Sequence, residues 1–342
     1  MNNYKRNIDY YLEDTNKRLC DDNHIYDKLY DAVIKRDYNL LKNILLNNKS
    51  FDLNKYKDKN NDTLLLVTAF LGFHEILEIL IKAGADVNLR GFNGYTALHY
   101  VALEDAHRIG NASEDYCKCL KILLDIGANV NQEDDYGQIA LHLSADKCNN
   151  YNIIMLIKAG ENINKEDLHE NTPLSLAVKS DYHNCECVKE LIMNGANINN
   201  KINNKFAFHY MMENGILCEC IDTFIKLGVD INIKLNNKTI LMELVDQVIY
   251  KPNCYLKITD VYKAFGIYIK AGGKINDIND YNCNILHYVF KLEEKYTFQL
   301  INLLIEANVN KNQKNIYGIT PIDIAYYKNY DECIKLLLEY SN

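Results

Sequence analysis

No apolar run in this chain is long enough to cross a bilayer. The longest, LLLVTAFLGF at 64–73, falls well short of the ~20 residues that a spanning helix takes. The first twenty residues are broken by Lys5, Arg6, Asp9, Glu13, Asp14, Lys17 and Arg18, so no secretory signal is read there. An excess of basic residues is missing as well. The net charge is −8 and the pI about 5.6, which opposes binding to a phosphate backbone. Neither a nucleic acid nor a membrane is expected as a partner. Eleven cysteines without a secretory signal suggest reduced thiols rather than a disulfide framework. The expected location is therefore cytoplasmic, with the nucleus also open. Walker loop, dinucleotide fingerprint and nucleophile elbow are all lacking. Tryptophan is absent and proline occurs three times.

What is present is a period. AGADVN (83–88) returns as IGANVN (126–131), AGENIN (159–164), NGANIN (194–199), LGVDIN (227–232) and AGGKIN (271–276). A seventh copy, ANVNKN at 307–312, has Asn308 in the glycine position. From Gly84 to Asn308 the intervals are 43, 33, 35, 33, 44 and 36 residues. A base period near 33 with two long insertions accounts for the series. Within each unit a polar turn leads to a short apolar segment such as ALHYVA and then to a second helix such as LKILLDIGA (120–128). Leu120, Leu123 and Leu124 share one helical face. Glycine just past the helix is the expected left-handed stop, and asparagine is the other residue that tolerates it. Such hairpins cannot bury their apolar faces alone, so they must stack.

The pattern resembles the ankyrin-repeat family. Its turn of an Asp, two variable residues, a Gly and then Thr-Pro-Leu-His is matched by NIYGITPID (315–323), DDYGQIALH (134–142), GFNGYTALH (91–99) and DLHENTPLS (167–175). Repeats are read from near 58, 91, 134, 167, 201, 234, 279 and 315, with a degenerate one at about 24–54. The resemblance implies an all-α solenoid of eight to nine helix–turn–helix units with hairpin tips. The expected organisation is a polar leader or cap over 1–23 and one elongated repeat domain over 24–342.

Histidine recurs at one place in the turn: His99, His142, His209 and His287. Metal ligands must converge within ~2.0–2.1 Å of an ion, whereas equivalent residues on packed helices lie about 8–10 Å apart. Leu66, Ser175, Met242 and Asp323 also replace the histidine. These histidines are therefore read as structural, holding helix starts and turns. Thr96, Thr172 and Thr320 are read as N-caps, and Pro173 and Pro321 as first helical residues. The Cys-x-Cys pairs Cys117/Cys119, Cys185/Cys187 and Cys218/Cys220 have one intervening residue, too few for usual zinc spacing. They are read as part of the packing. No catalytic residue, cofactor or metal is expected.

Aromatic residues gather at the turn tips. Tyr136, Tyr281 and Tyr317 precede the turn's Gly or Asn, Phe92 and Tyr95 flank the same place, and His169 occupies it in a further repeat. In ankyrin-like stacks such tips and the first helices form a concave protein-binding surface, so these six are the candidate contacts. Two insertions, 104–116 and 247–263, fall between first and second helices and should emerge as loops or lengthened helices. The function expected is a monomeric, non-enzymatic scaffold for a protein partner. The Asn-, Lys-, Ile- and Tyr-rich composition and irregular repeats resemble the ankyrin proteins of poxviruses and other large DNA viruses. That resemblance implies a host-range or immune-modulation factor whose partner is a host protein. Those relatives often carry a C-terminal F-box-like segment, and none is read here. A ubiquitin-ligase substrate adaptor and an effector of an intracellular bacterium are the alternatives.

Overall fold

A computed structural model describes residues 24–103, 111–180, 185–199, 201–202, 205–207, 210, 225–250 and 258–339. His209, the 1–23 leader and the insertion segments 104–110 and 251–257 lie outside the described residues. The chain divides into two compact units, Met1–Pro173 and Leu174–Asn342.

The first unit holds four helical hairpins. They are α1 (His24–Ile34) with α2 (Tyr38–Asn47), α3 (Leu64–Leu71) with α4 (His74–Lys82), α5 (Ala97–Ala102) with α6 (Asn111–Asp125), and α7 (Ala140–Asp146) with α8 (Asn150–Lys158). First helices pack on first helices along α1, α3, α5 and α7, and second helices pack along α4, α6 and α8. The inner first helices α3 and α5 are covered on nearly every side and are almost wholly apolar, whereas α1 keeps His24 and Lys28 exposed. From Leu64 to Phe70 no residue of α3 is exposed. The second helices bury one stripe, for example Ile76, Leu77 and Leu80 on α4. Each such fully buried aliphatic side chain stabilises by about 1.5–3 kcal/mol.

In the second unit the helices are α9 (Pro173–Lys179), α10 (Cys185–Met193), α11 (Ile240–Tyr250), α12 (Ile258–Lys270), α13 (Ile285–Val289), α14 (Glu294–Glu306), α15 (Pro321–Lys328) and α16 (Asp331–Glu339). Two short antiparallel strands, β1 (Lys201–Ile202) and β2 (Lys205–Phe206), form one turn tip. The stacking rule is the same: α11, α13 and α15 form one layer, and α12, α14 and α16 the other. The described parts of both insertions lengthen helices, at the start of α6 and at the end of α11 and start of α12.

Most second helices stop in the same way, although α2 ends at Asn48 with φ −127°. Gly84, Gly127, Gly160, Gly195, Gly228 and Gly272 have φ between 76° and 100°, and Asn308 takes φ 59° in their place. The next amide reaches back to close the helix end, as in Ala85 N–H to the Leu80 carbonyl at 3.0 Å. An asparagine six residues into each motif then ties one repeat to the next. The Oδ1 atoms of Asn54, Asn88 and Asn131 accept the amides of Asp86, Asn129 and Asn162 at 2.8, 2.7 and 3.0 Å. Asn232 and Asn276 do the same for Lys274 and Asn310 in the second unit, at 2.8 and 2.6 Å.

Candidate functional site

Most turn tips are built by a carboxylate or amide at their first position; at the tip that begins with Gly91, the Asp62 carboxylate accepts the Phe92 amide at 2.9 Å instead. Asp134 Oδ1 accepts the amides of Tyr136 and Gln138, both at 2.8 Å. Asp167, Asn279 and Asn315 hold their own turns in the same manner. The fourth position must adopt a left-handed backbone, which Gly94, Gly137 and Gly318 reach without strain and Glu170 and Asn282 accept.

Successive tips are joined by backbone. Asp135 N–H donates to the Asn93 carbonyl at 2.9 Å, and Leu168 N–H to the Tyr136 carbonyl at 2.9 Å. In the second unit Ile316 N–H donates to the Tyr281 carbonyl at 3.0 Å. Within each unit these tips are thereby tied to one another through their backbones.

The histidines stand beneath this row. His99 Nδ1 accepts the Thr96 amide at 3.2 Å and lies 2.8 Å from the Thr96 hydroxyl, while Nε2 is 3.0 Å from the Gln138 carbonyl of the next tip. His142 links Ile139 to Asn171, and His287 links Asn284 to Ile319, through the same two ring nitrogens. With Nδ1 accepting a backbone amide, the proton resides on Nε2 and the ring is neutral. Burial favours that state: it pushes His99 down to about 4 and lowers His142 and His287 as well. Each ring has both nitrogens engaged in turn geometry. Among the described residues no three His, Cys, Asp or Glu side chains gather as a metal site would require.

Thr96 precedes α5, and Thr172 and Thr320 precede α9 and α15, whose first residues are Pro173 and Pro321. Thr320 Oγ1 accepts the Asp323 amide at 3.4 Å, and Asp323 reaches back to the Thr320 amide at 2.8 Å. Cys119, Cys187 and Cys333 are buried in the second-helix layer.

At the tip row itself, Phe92 is 52% exposed, Tyr136 44%, Tyr281 58% and Tyr317 74%. His169 is exposed beside them. Tyr95 departs from the row. It is half-buried, with its ring parallel to His99 at 5.7 Å and edge-on to Tyr100 at 5.5 Å. Burial and the Asp134 carboxylate push its hydroxyl up to about 12. Tyr95 follows the left-handed Gly94, and its ring turns inward over the histidine. Two aliphatic members of the row escaped sequence reasoning, Leu168 at 72% exposure and Ile316 at 50%. Their signal was available, since both occupy the second tip position, as Phe92 does.

Stacked helical hairpins with turn tips tied one to the next define a repeat protein whose regular surface is the tip row. A family profile described as ankyrin repeats (3 copies) matches residues 29–111 and 109–202, together just over half of the chain. The chain belongs to the ankyrin-repeat family. It is 25% identical over 152 residues to a transient receptor potential cation channel subfamily A member 1 homolog of Caenorhabditis elegans, covering 44% of this chain and 12% of that protein. It is 26% identical over 182 residues to protein glp-1 of the same organism, covering 50% of this chain and 10% of the relative. Against protein phosphatase 1 regulatory subunit 12A of Mus musculus the identity is 44% over 54 residues, 15% of this chain and 5% of the relative. The chain thus spans 12% or less of the length of these relatives. Ankyrin repeats generally mediate protein–protein interaction.

Proposed function

We propose that this chain is a non-enzymatic scaffold that grips a partner protein through its turn tips. The observation that carries the reading is the exposure of large apolar side chains on a backbone-tied row: Phe92, Tyr136 and Leu168 in the first unit, Tyr281, Ile316 and Tyr317 in the second. Isolated exposed apolar residues need no explanation, but a row of them on a backbone-tied frame loses little conformational entropy on binding. Charged neighbours such as the Arg90–Asp135 pair, 2.6 Å apart, border the first row and favour a partner with polar flanks.

The partner we propose is a host-cell protein, with the chain acting in the cytoplasm in a host-range or immune-modulating role. Support for this comes from the composition and the irregular repeat spacing. The test is affinity capture from cells expressing the intact chain or a Phe92→Ala/Tyr136→Ala/Leu168→Ala variant. Recovery of the specific partner should drop about tenfold or more, as expected when anchor residues are truncated. Equal recovery by both chains would place binding elsewhere.

A further inference from the structure

Second helices α4, α6 and α8 pack one on the next, but α2 and α4 meet far more loosely. Between them lies an open cleft of about 460 Å³, within the size range of ligand sites. Lys42 and Leu46 stand one turn apart on α2, with Lys49 just beyond its end, and Ile79 and Lys82 face them from α4. Phe51 and Leu53 also line it, and Phe51 is fixed by stacking on Tyr56 at 4.9 Å. Leu46 is 64% exposed. Among the described residues, three ammonium groups and no carboxylate line the cleft. Lys82 already has Glu78 at 2.6 Å, while Lys42 and Lys49 have no ionic partner among the described residues.

We propose that this cleft is a second docking surface, separate from the turn tips, for an acidic amphipathic helix of a partner protein. A third helix laid between two others would bury Leu46 and Ile79 and add the layer that α2 and α4 lack. Lys42 sits on α2 and Lys49 two residues past its last residue, Asn47, so the two ammonium groups are borne at separate points of the cleft. Acidic residues on the flanks of an incoming helix can meet both, whereas a single carboxylate, as on a fatty acid, brings one charge to two lysines.

The probe is a fluorescein-labelled helical peptide of about 18 residues, long enough to hold a helix on a surface. It carries Leu on one face and Glu on the flanks, and the control has the same composition with the Leu positions scattered. With the intact chain, anisotropy should show micromolar binding to the probe that weakens with salt. Lys42→Glu/Lys49→Glu and Leu46→Glu should each weaken it about tenfold or more, and Tyr136→Ala should leave it unchanged. These side chains are exposed, and circular dichroism checks that the helices persist. Lys42→Gln/Lys49→Gln gives a milder second test, expected to fall between wild type and the charge reversal. Absence of binding, equal binding of the scattered peptide, or affinity unmoved by these variants overturns the proposal. So does tighter competition by dodecanoate, or by a peptide of residues 1–23, than by unlabelled probe, since either assigns the cleft to a different occupant.

Discussion

Glu161 occupies the position that Ala85, Ala128 and Ala196 hold in other repeats, yet it is buried and neither carboxyl oxygen has a hydrogen-bond partner. Burial drives its pKa well above the ordinary range; the Leu141 backbone draws it down slightly without forming a well-aligned bond. The folded chain therefore keeps the proton that the unfolded chain releases near ~4.3. Stability from this group is full below that pH and is lost as pH rises through the raised folded value. Glu161→Ala is expected to raise the urea midpoint at pH 7, by an amount corresponding to about 1–3 kcal/mol of unfolding free energy, the usual cost of an unpaired buried polar group. An unchanged or lower midpoint contradicts this. His99 works in the opposite direction. Its folded pKa lies near 4 against an ordinary 6.5, so the unfolded chain binds the proton first. Stability is whole above about 6.5 and falls by roughly 3 kcal/mol as pH drops to about 4. Urea titrations at pH 6.5 and 5 should show a flatter slope for His99→Asn than for wild type, although the variant is less stable throughout. The role of His99 was legible in the sequence because Thr, His and the turn recur together. The strain at Glu161 was not, since a carboxylate in a loop motif reads as solvated until burial is known.

Among the elements, glycines with similar backbone angles differ in what surrounds them. Gly127 ends α6 at φ 82° with nothing within 4 Å of an added Cβ. Gly137 sits at a tip at φ 74°, where a Cβ would stand 3.1 Å from the Leu168 backbone nitrogen. That nitrogen makes the tip-to-tip bond to Tyr136. Gly127→Ala should cost about 1 kcal/mol from backbone strain alone. Gly137→Ala should cost about 1 kcal/mol more, because the inter-turn hydrogen bond is displaced too. Equal losses in thermal melts would show that the tip bonds add nothing to the row. Helix positions and their glycine stops followed from periodicity, since apolar spacing and the left-handed residue are both local signals. The looseness between α2 and α4 was not readable. The sequence YNLLKNILLN of α2 looks like any other second helix, yet of its four leucines and isoleucine only Leu41 is buried.

For the molecule as a whole, no helix among the described residues is long and apolar enough to cross a membrane. The repeat family was evident from two motifs in fixed order. The row of tip residues was partly evident. Tyrosines drew notice as an abundant aromatic type, whereas Leu168 and Ile316 share the row only because of their turn position, and Tyr95 leaves it by folding over His99. The claim that partner binding runs through the tips is tested most directly by site-specific photo-crosslinking in cells. A benzophenone amino acid replaces Tyr136 or Tyr281 at the tips, or Tyr151 on α8, which is comparably exposed at 42%. The account expects one shared adduct from the tip positions and none of that mass from Tyr151. The same adduct from Tyr151 with none from either tip would contradict it.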